Sequence, residues 1–240
     1  MHQGLPVSEQ AFQNALRDLA GPVGGAVDLS APFASLLRVD GAAVSTLGGF
    51  LGSETLSAST ALAAQIDEMQ FDLGEGPCWD AMSSGRPILE PDLAAGFERW
   101  PMFIDAISPH GVSSLFAFPL RLGPLRIGAI DLYTYERTLL DEQERARACR
   151  LAEQVSRRVL RQALASVRDG VTTSTGPFSR RLIHQATGMV VSQLDISAED
   201  AQLVIQGHAF AEGMTMMEVA QQLIDRELSF TDPTEGEGDR

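Results

Sequence analysis

Between residues 141 and 167 the chain contains neither glycine nor proline, and its apolar residues Ala148, Ala152, Val155 and Val159, then Leu160, Leu164 and Val167, step by fours and threes. That spacing is helical. At about 1.5 Å per residue the helix is on the order of 40 Å long, too long to lie on the surface of one small domain. Two apolar stripes on one helix imply two partners: its own domain, and a second helix that we read as the same helix of another chain. A chain of 240 residues with such a rod inside it divides into a medium domain before the rod and a small one after it.

Before the rod, apolar runs are short and bounded by Gly, Pro and Asp, the pattern of a mixed α/β domain. Strands are predicted over 42–47, 54–59, 87–90, 114–120 and 127–133, and helices over 7–19 (with Ser8 as N-cap), 60–67, 77–84 and 100–108. The runs flanking residues 121–124 read as a hairpin. Adjacent apolar strands followed by a long helix suggest an antiparallel sheet with helices packed on it. The segment 70–79, QFDLGEGPCW, has two readings: a backbone loop leading into a ligand-facing helix N-terminus, or a turn with Pro at the first helical position.

After the rod, DGVTTSTGP at 169–177 is a linker. Three amphipathic helices follow. Ser179 is placed to cap the first, with Leu182, Ala186, Met189, Val190 and Leu194 inward. Ser197 with Asp200 caps the second. Gly213 closes that helix, and Thr215 with Glu218 forms a capping box for the third. Residues 231–240 are polar and acidic and read as a disordered tail.

The net charge of −14 weighs against the whole surface binding a polyanion. The charge is unevenly spread, however: Arg145, Arg147, Arg150, Arg157, Arg158, Arg161, Arg168, Arg180 and Arg181 face only Glu153 and Asp169 in the same stretch. The sequence has no lysine. That excludes phosphate-loop and kinase lysines and Schiff-base chemistry, while arginine can stack on bases and bond phosphates in a fork. Cys78 and Cys149 have no metal or disulfide spacing. No apolar run is long enough to span a membrane, and residues 1–10 lack a secretory pattern, so a cytoplasmic protein without cofactor or metal is expected.

The third C-terminal helix carries Glu218, Asp225 and Glu227 against Arg226, a poor match to a phosphate-lined major groove. The first helix sets Arg181, His184, Gln185, Gly188 and Ser192 opposite its core stripe, with Arg180 and Thr187 beside them. Arginine and amide groups hydrogen-bond bases, and glycine lets a base approach closely.

With Gln185-Ala186-x-Gly188, the run from Leu194 to Ala201, His208-Ala209 and Glu218-Val219-Ala220 in this order, the segment resembles the ANTAR family of RNA-binding antitermination regulators. The family's frequent lysine before the glycine is Thr187 here. FDLGEGPCW, FAFPLRLGPLRIGAIDLY and the helix after them resemble a GAF sensory domain. The resemblance implies an α+β chain. Residues 1–29 form an N-terminal helix, 30–140 the GAF-like sheet flanked by helices, 141–168 a coiled-coil connector, 169–177 a linker, and 178–230 a three-helix ANTAR bundle. It implies a non-enzymatic regulator that binds stem-loops of nascent transcripts and dimerises through the connector.

The RNA contacts expected are Arg180, Arg181, Gln185, Thr187 and Gly188. A pocket for a small-molecule ligand is expected among Trp79, Met82, Phe103, Phe116 and Phe118. Two alternatives stand beside this reading. Cys78, at a helix start, has the place of a thiol nucleophile or redox sensor, but no resolving cysteine is near and His110 is the one histidine between Asp28 and Arg137. The other alternative is a protein-interaction scaffold that binds no nucleic acid.

Overall fold

The computed structural model describes residues 9–22, 27–48, 51–169 and 180–231. It divides into two compact units, Met1–Phe178 and Ser179–Arg240. Ser8, Ser179, residues 170–177 of the linker and residues 232–240 of the acidic tail lie outside the described residues.

In the first unit five strands form one antiparallel sheet in the order β2-β1-β5-β4-β3. They are β1 (Gly41–Thr46), β2 (Glu54–Ala58), β3 (Ile88–Glu90), β4 (Ser114–Leu122) and β5 (Leu125–Thr134). The β4–β5 hairpin turns through Gly123, whose φ of 57° falls in the left-handed region. One face of the sheet buries Ala42, Val44, Phe116, Phe118, Ile130 and Leu132 under α1 (Glu9–Ala20), α2 (Ala31–Leu36) and the long helix α6 (Glu142–Asp169). The other buries Ala43, Leu115 and Tyr133 under α3 (Ala61–Leu73) and α5 (Pro101–Ile107), and Ala129 under α4 (Pro77–Ser84). Strand alternation decides the split, because successive side chains point to opposite faces.

The helices start and stop for local reasons. Thr60 accepts a hydrogen bond from the Ala63 N–H at 3.0 Å to cap α3, which continues past the expected 60–67 to Leu73 and ends at Gly74 with φ 65°. At the head of α6, Asp141 and Glu144 form a reciprocal capping pair, each carboxylate accepting from the other's backbone N–H at 2.8 and 2.9 Å. Arg38 then holds Glu144 in a two-pronged ion pair at 2.7 and 3.1 Å. Helix α2 had no counterpart in the sequence reading. At six residues it is too short to show a period, and its Pro32 start and buried Phe33 and Leu36 carry it.

Part of the arginine-rich stretch of α6 is engaged by the fold itself. Arg158 is 3% exposed and donates towards the carbonyls of Asp18, Leu19 and Gly21. Arg161 reaches the carbonyls of Ala20 and Leu19 at 3.0 and 3.1 Å. Together they satisfy the C-terminal carbonyls of α1 and complement its dipole. Arg147 and Arg150 lie over the Phe12 ring, and Arg157 pairs with Glu153 one turn away. The first apolar stripe of α6, from Ala148 to Val159, is buried in the core. On the second, Leu164 is 57% and Val167 78% exposed.

The second unit is a bundle of α7 (Arg181–Leu194), α8 (Ala198–Glu212) and α9 (Met216–Ile224). Ser197 caps α8 through the Asp200 N–H at 3.1 Å, and Thr215 and Glu218 form the capping box of α9. Ile183, Ala186, Val190, Ala201, Ile205, Ala209, Met216, Val219, Ala220 and Leu223 make the core.

Candidate functional site

On the α3 side of the sheet an otherwise apolar interior holds a group of polar side chains. Ser45 of β1 stands opposite Thr55 of β2 and Ala129 of β5, and Asp131 stands between Ala43 and Ala117. All lie on one face. From α3, Asp67 accepts a short hydrogen bond from the Thr55 hydroxyl, and Gln70 donates to Asp131 Oδ2 at 2.8 Å. Asp67 is 1%, Gln70 0%, Asp131 3% and Ser45 1% exposed. Asp131 Oδ1 and Ser45 Oγ meet no hydrogen-bond partner among the described residues.

Burial pushes the Asp131 carboxyl well above the usual range, the charge of Asp67 adds to the rise, and the Gln70 hydrogen bond opposes both. Burial thus favours the protonated form of Asp131. Sequence reasoning passed over this group. Its one legible signal is an aspartate inside the apolar run IGAIDLY.

Gln70 also settles the reading of 70–79. Its side-chain carbonyl accepts from the Cys78 N–H at 2.9 Å, so a group of the chain itself occupies the N-terminus of α4, and the Trp79 indole donates to the Gln70 backbone carbonyl at 2.6 Å. Gly74 and Gly76 turn the chain between the two helices. At Gly76, φ is 134° and a Cβ would stand 2.5 Å from Gln70 Oε1. The segment is the last turn of α3, a tight turn and a Pro-started helix.

The five residues expected to line a pocket do not share one. Trp79 and Met82 pack half-buried against Leu47, Cys78 and Ala129. Phe103 is buried with Trp100 and Ile107 beneath α5. Phe116 and Phe118 point to the opposite face, beneath α1 and α6. The two-residue strand period put the phenylalanines together and away from the rest. Phe118 instead borders a cleft of about 360 Å³, with Pro87, Arg121, Leu122, Cys149 and Glu153. Cys78 is 0% exposed, which leaves its thiol out of reach of a substrate, while the exposed Cys149 has its thiol pushed up by partial burial.

In the second unit, Arg181, His184, Gln185, Gly188 and Ser192 lie exposed along α7, spaced to form one face. Nothing comes within 4 Å of a Cβ built at Gly188. Arg180 and Thr187 do not join that face. Arg180 is 3% exposed, and Thr187 is 8% exposed with its hydroxyl donated to the Ile183 carbonyl at 2.7 Å. The buried stripe of α7 runs through Ile183, Ala186, Thr187 and Val190, one position round from the predicted one, and this turns Thr187 inward.

A GAF domain model matches residues 22–159 and an ANTAR domain model residues 178–224. No curated protein matches the chain. Among solved structures, the GAF domain of a phosphoenolpyruvate-protein phosphotransferase from Coxiella burnetii is 15% identical with a TM-score of 0.50, the match covering 67% of this chain and 97% of that one. The corresponding GAF domain from Acinetobacter is 10% identical with a TM-score of 0.46, over 65% and 93%. The chromophore-binding domain of a bacteriophytochrome from R. palustris is 9% identical with a TM-score of 0.49, over 65% and 61%. At such identities the likeness concerns the fold alone. No helix among the described residues is long and apolar enough to cross a membrane.

Proposed function

Because the chain belongs to the GAF domain family and carries an ANTAR domain after its long helix, we propose that it is a cytoplasmic, signal-responsive regulator of transcription antitermination. The first unit senses, and the second binds stem-loops in nascent RNA. The observation that carries the RNA part is the exposed face of α7, where Arg181, Gln185 and Gly188 stand together in the ANTAR region. An arginine fork, an amide and an open glycine suit unpaired bases and their phosphates. Glu218 in α9, with Asp225 and Glu227 just after its end, leaves duplex DNA the poorer partner.

Two copies pair through the second stripe of α6, where Leu164 and Val167 stand in solvent. Apolar residues at this spacing on a helix already packed along its first stripe fit a coiled-coil seam. A signal that alters the first unit shifts this seam and sets the spacing of the two RNA-binding units. The test is filter binding of the full chain to hairpin RNA, with duplex DNA of the same sequence as control. Binding to the hairpin alone supports the reading, and equal indifference to both leaves a protein scaffold.

A further inference from the structure

Strand β3 covers part of the neighbouring edge of β4. Its residues Ile88, Leu89 and Glu90 pair with Ala117, Phe116 and Leu115, and among the described residues no strand pairs with that edge from Phe118 to Leu122. The cleft of about 360 Å³ opens there, between this length of β4, the end of α4 at Gly85 and the side of α6. Pro119 stands in the open stretch. A proline has no N–H to give an added strand and blunts such an edge, so the space suits a small molecule better than an extended peptide.

Two charged side chains line the cleft, Arg121 and Glu153. Glu153 is already paired with Arg157 at 2.5 Å. Arg121 forms no ion pair among the described residues. Its Nη1 donates to the Gly85 carbonyl at 2.8 Å, which fixes the guanidinium at the cleft wall and leaves N–H donors of the fork for a ligand. Gly85 makes room for this: its φ is 66°, and a Cβ there would stand 2.9 Å from Arg121 Nη1. Cys149 adds no negative charge, since partial burial pushes its thiol up. The cleft therefore carries one unmatched positive charge against walls that are otherwise apolar, Phe118, Leu122 and Ala152 among them.

An apolar slot with one fixed guanidinium selects an anion with an apolar body. A planar carboxylate matches the fork with a single charge, whereas a phosphate would bring a third oxygen and further charge to walls without donors for them. The volume lies at the small end of the range for ligand pockets.

We propose that this cleft binds a small carboxylic acid with an apolar body, its carboxylate on Arg121 and its body between β4 and α6. Cys149, Ala152 and Glu153 all belong to α6, so a bound acid ties the β4 edge to the long helix. The acid is then the signal that the first unit receives. The inference rests on the sensory reading of that unit and names its ligand class.

Cys149 supplies the readout. Of the two cysteines Cys78 is buried, and Cys149 is exposed in the cleft, so the rate of alkylation of the full chain by iodoacetamide, followed by intact mass spectrometry, reports occupancy. The probe is 3-phenylpropanoate, with 3-phenylpropanamide as the uncharged control of the same shape. The acid is expected to slow alkylation saturably, and the amide to need at least about tenfold higher concentration. Arg121→Gln should raise the half-protecting concentration of the acid at least about tenfold. Cys149→Phe fills the cleft from an exposed position of α6 and should abolish the binding heat of the acid in calorimetry, a result that does not depend on how Arg121→Gln folds. No protection by the acid, equal protection by the amide, unchanged protection in a folded Arg121→Gln, or an unchanged binding heat in Cys149→Phe overturns the inference. Hairpin binding measured on the same samples separates the outcomes: failure of the acid to bind with RNA binding intact removes this inference and leaves the proposed function standing.

Discussion

Replacing Asp131 by asparagine should stabilise the first unit, and by more as the pH rises. Folding takes this carboxyl out of water beside Asp67, so the native chain binds its proton more tightly than the unfolded chain does. The native advantage is complete at pH values below the unfolded carboxyl's titration, near pH 4. It shrinks as pH rises towards the native value. While the native group keeps its proton and the unfolded one has lost it, stability falls by about 1.4 kcal/mol per pH unit.

Asparagine removes the titration and keeps the contacts. Its carbonyl can accept from Gln70, as Asp131 Oδ2 does at 2.8 Å. The wild type should therefore lose stability against the variant by up to about 1.4 kcal/mol for each pH unit above 5. Urea melts at pH 5, 6, 7 and 8 measure this. The two tryptophans of the chain, Trp79 and Trp100, are both in the first unit, so fluorescence reports that unit by itself. Midpoints of wild type and variant that stay parallel across pH, or converge as it rises, would refute the assignment of Asp131 as a buried neutral acid.

Arg181→Ala is expected to weaken hairpin binding and lower its salt dependence by about one counterion, with dimerisation unchanged; filter binding across a salt series reads both. Arg180→Ala, at a buried position, should act on the thermal midpoint of the second unit more than on the salt slope. Leu164→Asp with Val167→Asp places charges on the exposed stripe of α6 and should shift the chain to monomer in analytical ultracentrifugation, without change in the near-UV spectrum of the first unit. Thr215→Ala removes the side-chain half of the α9 capping box and should cost the second unit about 1 kcal/mol in urea unfolding followed by far-UV circular dichroism.

What could be read from the sequence is what depends on near neighbours. The Gly- and Pro-free helix, the hairpin across residues 121–124, the caps at Ser197 and Thr215, and the left-handed end at Gly213 each follow from residues within a few positions. The motif order across α7 to α9 belongs to the same class, and so does the exposed run Arg181, Gln185, Gly188. Tertiary structure decided matters that turn on distant partners. Strand alternation sent Phe116 and Phe118 away from Trp79, Met82 and Phe103. A stripe shifted by one position buried Thr187. The end of α1 claimed Arg158 and Arg161 from a surface that charge counting had left open. Asp67 and Asp131 are 64 positions apart in the chain, and their encounter follows from α3 lying on β5's inner face, where burial and the nearby Asp67 raise the Asp131 carboxyl as nothing in its own stretch of sequence would.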